Sequence, residues 1–151
     1  MLAKFIIFGF IGWVVEVCFT GFHAAFFAHD KSATAKTYLW MHPIYGAAML
    51  GLSWLSTHLT ALGWLERAGV YLAVIYAVEF CTGWLLRRFL GKCPWDYGTS
   101  GLSVKGLIRL DYAPAWFLGA LLFDPMRVAI DAGLHAVSVS QIFAATISGL
   151  G

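Results

Sequence analysis

"IGWVVEVCF", Ile11 to Phe19, reads as the middle of a membrane-crossing helix except for Glu16. An ionised carboxylate in hydrocarbon carries a penalty large enough that such residues face a protein interior or water rather than lipid. How this stretch is read decides the fold, so the surrounding chain has to explain the acid.

The composition favours the membrane reading. Of 151 residues, 60% are hydrophobic and 12% charged, with a mean hydropathy of +0.76. A soluble domain carries about 25% charged residues. These values are those of a multi-pass membrane protein. A net charge of +2 with no basic run argues against nucleic acid as a partner. Cys18 and Cys81 lie in apolar segments, Cys93 stands alone in a loop, and no CxxC spacing occurs. Neither a disulfide framework nor a zinc site is expected. Lys4 followed by an apolar run imitates a signal peptide, but Glu16 interrupts that run and no good small-x-small site follows, so a retained first helix is expected.

Crossing the hydrocarbon takes about 20 apolar residues. Phe5 to Ala28 meets this with Glu16 as its one acid, and the polar "HDKSATAKT" (His29 to Thr37) follows as a loop. Pro43 to Leu65 gives a second span. Glu66 and Arg67 are then a tight connection, and Ala68 to Leu86 is a third span containing Glu79. A long loop, "RRFLGKCPWDYGTSGLSVKG", comes next. The stretch between Asp111 and Asp124 is too short to cross alone, about 18 Å of helix. A fourth span is therefore expected to reach back toward Gly106, with Arg109 snorkelling at the interface. Asp124 reads as an N-cap and Pro125 as the first residue of a further helix, Met126 to Leu150. That helix carries Arg127, Asp131, His135 and Ser138 along one stripe, more plausible as a structural ion pair than as chemistry. The expected architecture is an all-α, multi-pass transmembrane bundle. Residues 1–124 form a four-span core, and residues 125–151 a C-terminal helix that either spans a fifth time or lies on the surface.

Lysine and arginine placement sets the expected orientation. The first and third loops hold Lys31, Lys36, Arg87, Arg88, Lys92 and Lys105, against Lys4 and Arg67 on the other side. Those two loops are placed in the cytoplasm and the N-terminus outside.

Helical spacing puts Gly9, Gly12, Glu16, Thr20 and His23 on one face of the first span. Tyr76, Glu79, Gly83 and Arg87 share a face of the third, and Lys105, Arg109, Tyr112, Trp116 and Gly119 one of the fourth. Small residues allow close helix approach, and polar ones need partners. Three stripes thus face a common interior holding Glu16 and Glu79, with Arg88, Arg109 or Tyr112 as candidate partners of Glu79. Against a transport or active-site role stands the plainer reading that these acids are protonated or paired as structural glue. His23 reads as a solvated interfacial imidazole, His42 equally as a helix-entrance residue or a site residue, and His58 as packing. Glu16, Glu79 and His42 make a metal site conceivable, but no ligand pair has a recognised spacing such as HExxH. No metal, cofactor or catalytic residue is assigned. In the long loop, Pro94 fixes one backbone angle while Trp95 and Tyr97 are interfacial aromatics. Asp96 is placed to cap the turn at Gly98 or to pair with Arg87, Arg88 or Arg109. The loop is either a well-anchored surface segment or a gate.

Certain motifs resemble a known family. "EF" with "TG" (Glu79, Phe80, Thr82, Gly83), "CPWDY" (Cys93 to Tyr97), Gly106 to Ile108 with Leu110 and Tyr112, and then Trp116 and Gly119 are similar to the transmembrane protein 229 family and the related bacterial CmpB-like family labelled as type IV ABC transporters. "GWVVEV" and "HPIYG" (His42 to Gly46) match its first-helix and second-span patterns. The resemblance runs over roughly residues 9 to 124 and fades after Met126. It implies a membrane component of a transporter in the bacterial inner membrane, and it implies that Glu16, Glu79, Trp95, Asp96 and Tyr97 belong to the family pattern.

The resulting expectation is a transporter or permease component for a small solute or ion. Glu16, Glu79, Tyr45, Arg87, Asp96, Arg109 and Tyr112 are its candidate binding residues, and Pro94, Trp95 and Tyr97 its gate or loop. Desolvation favours the neutral form of a carboxyl, a property that proton coupling uses. The expected surroundings are the lipid bilayer and a homo-oligomer or larger membrane complex, with a small-molecule or lipid ligand. Two alternatives stay open. One is a membrane-embedded enzyme acting on a lipid or isoprenoid, with the acids as acid and base and Arg87, Arg88 and Arg109 holding a phosphate. The other is an accessory subunit whose acids are paired internally.

Overall fold

The computed structural model describes residues 1–99 and 101–148. Four helices make the framework: α1 Leu2–Phe26, α2 Met41–His58, α3 Trp64–Leu90 and α4 Ala113–Ser148. Between α3 and α4 lie a small antiparallel hairpin, β1 Ser103–Val104 with β2 Ile108–Arg109, and one 3-10 turn, Leu110–Tyr112. The architecture is all-α, and α1 and α3 are long and apolar enough to cross a membrane. Only 17% and 11% of their apolar windows are buried within the bundle. They are therefore not core helices of a water-soluble fold. Large apolar side chains such as Phe10, Val14, Phe22, Trp54, Trp84 and Leu118 point outward.

Glycine sets the α1–α2 spacing. A β-carbon on Gly12 would collide with the Tyr45 ring, and one on Gly46 would come within 2.8 Å of the Phe5 carbonyl. The backbones approach because neither residue has that carbon. Contacts fix the helix directions. Phe5 meets Gly46 while Gly9 meets His42, so α1 and α2 are antiparallel. Phe19 meets Trp116, Phe8 meets Phe123 and Lys4 pairs with Asp131, so α1 and α4 are antiparallel too. Leu52, Ala68, Tyr71, Ala120 and Phe123 form the buried core between α2, α3 and α4.

Three expected boundaries need correction. The α2–α3 connection is Leu59 to Gly63, not Glu66 and Arg67. Glu66 sits in the first turn of α3, and its carboxylate accepts a bond from the Gly63 N–H at 2.8 Å. This satisfies one of the donors a helix start leaves open. The fourth helix does not reach back to Gly106. Gly106 has φ +70° in the hairpin turn, where left-handed backbone stops a helix, and α4 begins at Ala113. Lys105 and Arg109 therefore share no helix face with Trp116.

The third correction concerns Asp124 and Pro125. They start no new helix, because α4 runs unbroken through Pro125. Proline removes the bond to the carbonyl four residues earlier. That carbonyl belongs to Leu121, and the Trp64 indole N–H donates to it at 3.0 Å. A side chain from α3 thus supplies the missing donor, and α4 reaches 36 residues.

Asp124 has a different role. It accepts from the Tyr71 hydroxyl at 3.1 Å and pairs with Arg67 at 2.5 Å. Arg127 lies 3.8 Å from Asp124 and 3.5 Å from Asp131, and Asp131 pairs with Lys4. This network ties α1, α3 and α4 together at the end opposite the hairpin.

Candidate functional site

The polar face of α1 is met by the segment that returns toward α2. Thr20 donates to the Lys36 carbonyl at 3.0 Å and accepts from the Lys36 N–H at 2.9 Å. The Trp13 indole donates to the Tyr38 carbonyl at 3.0 Å. Between these two contacts, the Thr37 hydroxyl donates to the Glu16 carboxylate. Glu16 is thereby held by a loop residue rather than by a neighbouring helix.

The polar face of α3 seats the hairpin. Tyr76 donates to the Arg109 carbonyl at 3.0 Å, and Arg87 donates to the Lys105 carbonyl at 2.9 Å. Gly83 leaves room for Trp95 and Leu107, whose atoms would lie 3.1 and 3.0 Å from an added β-carbon. The Trp95 indole, buried there, donates to the Leu107 carbonyl at 3.1 Å. On the same face the Tyr97 hydroxyl donates to Glu79 Oε1 at 2.6 Å. Burial and the adjacent Glu79 push the Tyr97 phenol well above its ordinary range, so it remains a donor.

These two zippers enclose a cavity of about 130 Å³ whose walls include Glu16, Glu79, Tyr45, Tyr97, Tyr112 and Trp116. A second, mostly apolar cavity of about 180 Å³ adjoins it and runs toward Leu52, Phe123 and Met126. Glu16, Tyr45, Glu79, Trp95 and Trp116 line both. Both carboxyls therefore stand where a polar chamber meets an apolar one. Neither joins an ion pair among the described residues. Glu79 Oε2 and the Trp116 indole N–H are buried with no hydrogen-bond partner among the described residues.

Six of the ten candidate residues share this lining: Glu16, Glu79, Tyr45, Trp95, Tyr97 and Tyr112. Arg87, Pro94, Asp96 and Arg109 stand outside it. Arg87 is engaged with Lys105, and Asp96 accepts from the Gly98 N–H at 2.9 Å rather than pairing with an arginine. Arg109 pairs with Asp111 and lies over the Tyr112 ring at 4.5 Å from its centre. That guanidinium holds the exposed Asp111 carboxyl below the usual carboxylate range.

His23 is not a freely solvated imidazole. It is half-buried, packs on Phe27 and Tyr112, and lines the polar chamber. His42 faces away from the chamber, among Phe5, Phe10 and Trp13. Among the described residues no three histidine, cysteine, aspartate or glutamate side chains come together as a metal ion requires. Thr37 and Met41 carry no periodic signal, so sequence reasoning had no means of finding them. Trp116 did announce itself, one turn after Tyr112.

No solved structure matches the chain. A family match, in contrast, covers residues 3–147, so it includes most of α4 and extends well past the motif-bearing stretch of residues 9–124. The chain belongs to the family described as "Putative ABC-transporter type IV", and with it to the transport-related membrane proteins.

Proposed function

We propose that the chain is a membrane component of a permease for a small solute or ion, and that the solute binds in the polar chamber against Glu16 and Glu79. The observation that carries this reading is two carboxyls lining one cavity with no cationic partner among the described residues. Acids serving only as glue are paired with cations, as Asp124 and Asp131 are at the other end. Each chamber acid has one hydroxyl partner instead, Thr37 or Tyr97. Membership of a family described as a transporter supports the same reading.

In this reading all four helices cross the bilayer, with α2 and α4 shielded in part by α1 and α3. The hairpin end, rich in lysine and arginine, faces the cytoplasm of a bacterial inner membrane. Pro94, Trp95 and Tyr97 form the movable wall, because Trp95 and Tyr97 line the chamber and also hold the hairpin down. Arg87, Asp96 and Arg109 support that wall without touching the solute. The protein works as a homo-oligomer or within a larger membrane complex. An enzyme acting on a phosphate-bearing lipid is less well supported. Of the three arginines that would hold the phosphate, Arg87 and Arg109 are committed to the Lys105 carbonyl and to Asp111, and the exposed Arg88 lines neither chamber.

Native mass spectrometry of the detergent-purified protein beside Glu16→Gln and Glu79→Gln tests the proposal. The expected result is a small molecule retained by the wild type and lost from both variants. An empty wild type, with both variants unfolding, would make the acids structural and overturn it in favour of an accessory subunit.

A further inference from the structure

We propose that the ligand of this site is an amphipathic organic cation: an ammonium head between Glu16 and Glu79, and an apolar tail in the adjoining chamber. The inference rests on the reading of the chamber as a solute site and goes on to specify the ligand's chemistry.

Charge comes first. Two carboxyls line the polar chamber, and among the described residues the only basic side chain in its wall is the His23 imidazole. Arginine and lysine, the usual partners of an anion, are absent from that wall.

Donors point the same way. An anion or a sugar needs free N–H and O–H groups. The Tyr97 hydroxyl is committed to Glu79, the Thr37 hydroxyl to Glu16 and the Trp95 indole to the Leu107 carbonyl. What remains among the described lining residues is neutral, the Tyr45 and Tyr112 hydroxyls and the buried Trp116 N–H, and these share the wall with two carboxyls that repel an anion.

Aromatic surface decides between kinds of cation. Tyr45, Trp95, Tyr97, Tyr112 and Trp116 surround the two acids. Ring faces attract a desolvated organic ammonium, and aromatic cages are a recurrent way of holding quaternary nitrogen. A hard inorganic cation instead needs several oxygen ligands in one shell, and among the described residues no three carboxylate, histidine or cysteine side chains gather as a metal ion requires.

The tail follows from the second chamber. Its walls are almost wholly apolar, with Ile44, Leu52, Ile75, Val78 and Phe123 among them, and it meets the first chamber at the two acids. A molecule with its charge at Glu16 and Glu79 has an apolar volume of about 180 Å³ directly beside it. An alkyl or aryl substituent fills such a space favourably.

Equilibrium dialysis of the full chain in lipid nanodiscs tests this, with hexyltrimethylammonium, tetramethylammonium and hexanoate as probes and empty discs to subtract lipid partitioning. The expected result is saturable binding of hexyltrimethylammonium, weaker binding of tetramethylammonium, and none of hexanoate. Glu16→Gln and Glu79→Gln should each weaken the hexyl cation about tenfold or more, since each removes a charge partner from a desolvated site. Trp116→Leu keeps both acids and should weaken it severalfold, which covers the case in which a glutamine variant does not fold. Saturable hexanoate binding, or cation binding that folded glutamine variants retain in full, overturns the cation assignment. If a co-purified solute is lost from the glutamine variants while neither cation binds, the ligand class is wrong but the permease site stands. If no solute co-purifies and no probe binds, both readings fall.

Discussion

At Gly12, a hydrogen in place of a methyl group determines how closely α1 and α2 can pack. Gly12→Ala places a carbon in the Tyr45 ring. The expected loss is about 1–3 kcal/mol, the range of overpacked interiors. Gly51→Ala in α2 meets nothing within 4 Å and should gain about 0.5–1 kcal/mol of helix preference. Thermal unfolding of the two detergent-solubilised variants side by side checks this, and equal midpoints would refute it. Asp30 offers a test by pH. The Thr34 hydroxyl and the amides of Ser32 and Thr34 hold its carboxyl below the usual range. A carboxyl depressed by folding stabilises the fold above its unfolded value near 3.9 and ceases to as pH falls through its folded value. The loop from His29 to Thr37 should therefore open to protease only below about pH 4. Asp30→Asn should leave cleavage there independent of pH, and an unchanged acid step would count against this account. Single acids in apolar runs are legible without a structure, because hydrocarbon makes them conspicuous. Their partners are not. Thr37 is 21 residues from Glu16, and Tyr97 is 18 from Glu79. A hydroxyl in a loop has no period to reveal it.

Among the elements, the hairpin depends most on one side chain. Trp95→Phe keeps the ring in the Gly83 notch but leaves the Leu107 carbonyl without its donor. A buried acceptor left unpaired costs about 1–3 kcal/mol. Hydrogen exchange should rise across residues 95–107 and remain unchanged in α1. A uniform rise throughout the chain would indicate global unfolding instead. The stripes on α1 and α3 were readable from spacing alone, yet what fills them was not. Gly9 and Gly12 of the first stripe pack on α2, but the polar residues of both stripes receive loop segments, because each long connection folds back onto the helix before it. The third stripe misled. Lys105, Arg109 and Tyr112 keep a helical interval, but strands of two residues are too short to show alternation, and the bend at Gly106 carries no periodic mark. Asp124 before Pro125 is a sound helix-start signal that failed here because a distant tryptophan supplied the missing donor.

For the whole molecule, charge is divided unevenly between the two ends. At the network end Lys4, Arg67 and Arg127 are matched by Glu66, Asp124 and Asp131. At the hairpin end seven basic residues face Asp30, Asp96 and Asp111. Changing Lys31, Lys36, Lys92 and Lys105 together to glutamine removes that excess. A reporter fused ahead of Met1 should then be found on both sides of the membrane, whereas on the parent chain it is found on one. A reporter that stays on one side would show that charge does not set the orientation. The unbroken run of α4 has a mechanical side as well. At Pro125 its continuity depends on an indole borrowed from α3, so the rod contains an articulation locked by a removable pin. Withdrawing that pin, as Trp64→Phe does, should let the distal segment swing while its own turns stay wound. Spin labels at Leu2 and Gly133 would register this as a broadened distance distribution, and an unchanged one would mean the rod is stiff without its pin.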